Sequence, residues 1–118
     1  MFEKKKAEKR NLGRKAFSAY MPVVDEKEEK TIGYLTDVSP RGFRLDCRQE
    51  LSINNTYSLR VDLNDELAVK SSLQLVARNK WCRRDELDPF VYNVGFQIVS
   101  MAPEDAAIYQ KIVEKYGG

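Results

Sequence analysis

The chain has 118 residues, 42% apolar and 32% charged, with 20 Lys or Arg against 18 Asp or Glu and no histidine, for a formal net charge of +2. That length and balance point to one globular domain with one core and exclude disordered and fibrous classes; no apolar run nears the roughly 18 residues of a membrane span, and the Met1-Phe-Glu-Lys-Lys-Lys6 start lacks a signal peptide's apolar stretch, so the expected location is the cytoplasm. Without histidine the usual general base and commonest metal ligand are gone, and Cys47 and Cys82 are too few and too widely spaced for a disulfide framework, so the expectation is against an enzyme, with reduced cysteines, no catalytic residues, no metal and no cofactor.

Taken in order, residues 1–13 are expected to form a flexible basic arm, in which Phe2–Arg10 reads either as a frayed basic helix or as a disordered stretch; between Lys4 and Lys15 stand seven Lys or Arg and one Glu. That local charge suits an anionic partner, while a near-neutral body argues against a nucleic-acid coat. From residue 14 onward apolar and polar residues alternate. Phe17–Val24 and Ile32–Thr36 are predicted strands, separated by the charged hairpin tip Asp25-Glu-Lys-Glu-Glu-Lys30. In the next strand Phe43, Leu45 and Cys47 share one face and Arg44, Asp46 and Arg48 the other; Arg44 and Arg48 read as a solvated, charge-balanced surface. Asn54-Asn55 marks a turn, after which Tyr57, Leu59, Val61 and Leu63 alternate with polar residues, and the acidic Asp62, Asp65 and Glu66 suit a solvated turn. Leu67–Trp81 is one bent strand or two short ones, Asp85–Pro89 is a further turn, and Tyr92, Val94, Phe96 and Ile98 share a face.

The period then changes. Pro103 suits the first helical position, Glu104 and Asp105 favour a helix N-terminus, and Ala107, Ile108, Ile112 and Tyr116 form an apolar stripe before Gly117-Gly118, which predicts a helix over about residues 103–116. The pattern as a whole predicts a mainly all-β fold, with residues 14–118 forming a six- or seven-stranded antiparallel β-barrel that carries a C-terminal α-helix on its side or end.

Two short constellations carry candidate chemistry. Arg10-Asn-Leu-Gly-Arg14 sets two guanidiniums four residues apart, each a flat, permanently charged fork that fits phosphate oxygens or a guanine edge. Asp37-Val-Ser39-Pro-Arg-Gly42 supplies a carboxylate able to accept from a guanine N1–H and amino group, a hydroxyl able to donate to phosphate, and a glycine that lets a ligand approach the backbone. Read alone, the same hexapeptide is equally an ordinary turn between strands.

In this order, and in a small barrel with a terminal helix, Arg-x-x-x-Arg followed by Asp-x-Ser-x-x-Gly resembles the PilZ domain family of bacterial receptors for cyclic dimeric GMP (cyclic di-GMP). The resemblance runs from about Lys9 to Tyr116 and includes Val94-Gly-Phe-Gln-Ile98, similar to a late strand of the family. It implies that Arg10 and Arg14 grip phosphates and guanine edges, that Asp37 and Ser39 contact the guanine and phosphate from the opposite wall, and that Gly42 shapes the loop. It implies also that the segment carrying the arginines, here Lys4 to Arg14, is mobile without ligand and wraps over it, so that binding is signalled to a downstream protein partner. Lys9 stands where many members have a further arginine tied to a stacked ligand dimer, which leaves one or two ligands per chain open. Two other readings remain: an adaptor of the same fold that acts through protein contacts without nucleotide, and a barrel that binds single-stranded nucleic acid through the arm and Trp81, for which core or rim packing is the simpler role.

Overall fold

Alternation builds the barrel one strand at a time. The computed structural model describes residues 21–63 and 71–117. Lys9, Arg10 and Arg14, the arm of residues 1–13, Phe17–Tyr20 and the Asp65 and Glu66 of the acidic cluster lie outside the described residues. Those described form β1 (Pro22–Asp25), β2 (Lys30–Ser39), β3 (Gly42–Cys47), β4 (Thr56–Asp62), β5 (Ser72–Arg84), β6 (Tyr92–Ser100) and α1 (Pro103–Tyr116). On β3 every second residue is buried, Phe43, Leu45 and Cys47 pointing inward as the pattern requires. Leu59 and Val61 do the same on β4, and Leu73, Leu75 and Ala77 on β5.

All pairings are antiparallel, and the order β1-β2-β3-β6-β5-β4 closes on itself through β1 and β4, giving a six-stranded barrel among the described residues. Closure removes the exposed sheet edges that would otherwise invite association. Inside, Phe43 stacks on Phe96 with ring centroids 5.2 Å apart, and Tyr57 meets Phe96 edge-on at 5.8 Å.

The helix begins with Pro103 in its first turn, followed by Glu104 and Asp105 where the N-terminal dipole favours negative charge. It touches β2 and β5, which lie opposite each other in the ring, so α1 crosses an end of the barrel. Its buried face comprises Asp105, Ile108, Tyr109, Ile112 and Tyr116. Ala107, expected in the stripe, is exposed, and Tyr109 takes the inward place. The spacing 105, 108, 109, 112, 116 follows the helical period, and Ala107 falls one 100° step outside it.

Cys47 and Cys82 are free thiols, the first buried and the second half-buried. Burial pushes the Cys47 thiol up to about 12, with Cys82 and Asp46 adding to the rise, so it stays protonated and inert. No helix among the described residues is long and apolar enough to cross a membrane.

One buried polar side chain ties the β3–β4 connection to the barrel. Asn79 is fully buried on β5; its amide donates to the Ser52 carbonyl at 2.7 Å and its side-chain oxygen accepts from the Asn55 N–H at 2.8 Å. Asn79→Ala leaves both partners wanting and is expected to lower unfolding free energy by roughly 2–3 kcal/mol. The measurement is a urea melt, with the midpoint falling at unchanged slope; an unchanged midpoint would show that water replaces the amide without cost.

Candidate functional site

Asp37-Val-Ser39-Pro-Arg-Gly42 turns out to be mostly strand. Asp37 and Ser39 end β2, Gly42 opens β3, and only Pro40 and Arg41 form the turn between them. Ser39 and Gly42 face each other as the last pair of the ladder, and the Ser39 hydroxyl donates to the Gly42 carbonyl at 3.2 Å. Gly42 is needed for a different reason from the backbone freedom the sequence suggests. A Cβ there would lie 2.3 Å from the Phe96 carbonyl oxygen, so only glycine lets β3 run this close to β6.

Two irregularities decide where the polar groups point. On β2, Gly33 and Leu35 face inward, and a strict period of two would send Asp37 and Ser39 into the barrel. The register instead shifts between Leu35 and Asp37, Val38 takes the inward place, and Asp37 and Ser39 move to the outer face. On β5, Leu73, Leu75, Ala77 and Asn79 face inward, and the shift between Asn79 and Trp81 likewise turns the indole outward, opposite Gly95.

The result is a shallow outer cleft of about 270 Å³, lined by Asp37, Val38, Ser39, Gly42, Phe43 and Arg44 on one side and by Lys80, Trp81, Gly95 and Phe96 on the other. Its volume is below the roughly 300–1,000 Å³ of clefts that enclose a whole drug-sized ligand. The half-buried Trp81 forms its apolar floor beside Gly95, where an added Cβ would collide with the indole at 2.2 Å. The Arg83 guanidinium lies 4.6 Å from the indole centroid.

The structure brings Asp37, Ser39 and Gly42 together as the sequence proposes. It also adds residues that composition did not single out for this site. Arg44 is half-buried, lines the cleft, and donates from Nε to the Thr36 hydroxyl at 3.3 Å, while Arg48 is exposed, so the two do not form one solvated surface. Lys80 adds an exposed cation, and the half-buried Trp81 lines the cleft. From α1, the Tyr109 hydroxyl donates toward the carbonyls of Ser39 at 2.7 Å and Gly42 at 2.8 Å. Burial pushes its phenol well above the ordinary tyrosine range, and the charge of Asp37 adds to the rise. The signal for the β2 bulge is a skipped beat, since Leu35 and Val38 are three apart where a regular strand sets apolar residues two apart.

A family model described as the PilZ domain matches residues 7–115. The chain belongs to the PilZ domain family. Among solved structures, the PilZ domain of YcgR from Escherichia coli, determined with c-di-GMP, superposes with a TM-score of 0.63 at 14% identity, covering 82% of this chain and 80% of that one. The inhibitor of motility MotI/DgrA from Bacillus subtilis superposes with a TM-score of 0.66 at 17% identity, covering 82% of this chain but only 46% of its own length. At these identities the likeness is one of fold. This PilZ chain thus spans under half of the motility inhibitor. No curated protein matches the sequence.

Because Trp81 is the only tryptophan, its fluorescence reports the cleft floor directly. Gly95→Ala is expected to lift the indole off β6, shifting its emission to longer wavelength and raising its quenching by acrylamide. Unchanged emission would mean that the indole does not rest on Gly95.

Proposed function

We propose that this PilZ chain is a cytoplasmic bacterial receptor for cyclic di-GMP that reorders its N-terminal arm around the ligand and signals to a partner protein. One observation carries the reading: register shifts on two separate strands turn Asp37, Ser39 and Trp81 into the same outer cleft. A purely structural barrel has no need to aim a carboxylate, a hydroxyl and an indole at one surface.

The chemistry divides among these groups. The Asp37 carboxylate accepts from the N1–H and amino group of a guanine, the Ser39 hydroxyl donates to a phosphate, and the indole edge of Trp81 offers the base an apolar surface. Arg44 and Lys80 set positive charge beside the phosphates. Arg10 and Arg14 supply the remaining forks from the arm, each bidentate contact to a base edge worth about 1–3 kcal/mol. Lys9 keeps charge but lacks a planar stacking face, so the number of ligands per chain is itself a quantity to measure. The role is binding, and no group here acts on a covalent bond. Similarity to a PilZ domain determined with c-di-GMP supports the ligand class, and similarity to an inhibitor of motility supports a protein partner as the output.

Calorimetric titration of the full chain with cyclic di-GMP, with GMP as control, is expected to give saturable heat with a dissociation constant in the micromolar range or below. Arg14→Ala and Asp37→Ala are expected to abolish that heat while leaving the thermal unfolding midpoint in place. Arg44→Ala, which the sequence alone would treat as silent, is expected to weaken binding severalfold because its stem lines the cleft. No heat at tens of micromolar ligand would contradict the receptor reading and favour the nucleotide-free adaptor.

A further inference from the structure

The phenol of Tyr109 has a task that packing does not explain. Its ring is 4% exposed beneath the ligand turn, a place phenylalanine would fill as well, yet the hydroxyl reaches the carbonyls at both ends of that turn, Ser39 at 2.7 Å and Gly42 at 2.8 Å. The Gly42 carbonyl also accepts from the Ser39 hydroxyl at 3.2 Å. A hydroxyl has one proton to donate, so Ser39 must release Gly42 before it can donate to a phosphate. Ser39 and Gly42 already exchange backbone hydrogen bonds as the closing pair of the β2–β3 ladder, so the phenol is an added tie from α1 to both ends of the turn.

We propose that Tyr109 is a positioning residue for the ligand turn: its phenol ties the carbonyls at both ends of the turn to α1 and so holds the Ser39 hydroxyl where it can swing from the Gly42 carbonyl to a phosphate, an inference that rests on the cyclic di-GMP reading. The C-terminal helix is then part of the binding apparatus without touching the ligand. Burial keeps the phenol protonated, so the donor persists through neutral and mildly alkaline pH.

The test is a double-mutant cycle on the full chain, Tyr109→Phe and Ser39→Ala singly and together, titrated calorimetrically with cyclic di-GMP. Ile112→Val, also buried on α1, controls for general loosening of the helix. Tyr109→Phe is expected to weaken binding roughly fivefold to tenfold, and Ile112→Val to leave it unchanged. In the Ser39→Ala background Tyr109→Phe is expected to cost little more, because there is then no hydroxyl to position. Wild-type affinity in Tyr109→Phe, or an equal loss in both backgrounds, would overturn the inference while leaving the ligand assignment standing. A wild-type chain that takes up no ligand overturns the assignment and this inference together, which is a distinct result.

Discussion

The pairing of β3 with β6 is the contact on which the site depends. β1, β2 and β3 follow one another as neighbours, and so do β4, β5 and β6; each set is held by pairings close in sequence. The ladder from Gly42 opposite Gln97 to Cys47 opposite Tyr92 joins the two sets, with β1 and β4 closing the ring on the far side. Asp37, Ser39 and Arg44 come from one half and Lys80, Trp81 and Gly95 from the other, so the cleft exists only along this seam. Beneath it the Phe43–Phe96 stack contributes about 0.5–1.5 kcal/mol beyond its buried area, and Gly42 admits the close approach of the two backbones.

The seam positions the walls, and the two register shifts give them direction. In an unbroken strand Asp37 would occupy the barrel interior, where an unpaired carboxylate is costly. The shift after Leu35 turns that residue outward and lets Val38 fill the core in its place. The same exchange on β5 sets Asn79 inward, with both ends of its amide bonded, and Trp81 outward. Core packing and site geometry are therefore set by the same irregularities, and the hydroxyl of Tyr109 fastens the turn between the two inner strands to the helix across the barrel's end.

Much of this was legible in the sequence, for physical reasons that differ by element. The period-two runs around Phe43–Cys47 and Tyr57–Leu63 announce strands because one face of each meets a core and the other meets water. Asp37, Ser39 and Gly42 stood out because their chemistry is complementary and their spacing matches a family pattern. The second wall was hidden: Lys80, Trp81 and Gly95 join Asp37 through a pairing some fifty residues distant in sequence, and no local pattern encodes which strands meet. Arg44 read as surface because alternation places it opposite Phe43 and Leu45, but alternation is silent on what else covers that outer face. Tyr109 was overlooked for a related reason, since its value lies in a hydroxyl aimed at another element's backbone.

The central claim is that the outer face of the β3–β6 seam is where ligand binds. Amide NMR of the uniformly ¹⁵N-labelled full chain on addition of cyclic di-GMP tests it most directly. The account predicts shifts concentrated at Asp37 to Arg44, at Lys80 and Trp81 and at Gly95, with the Glu26–Glu29 tip at the other end of β2 unmoved. Shifts centred on that tip, or spread evenly over the barrel with the seam unperturbed, would contradict it.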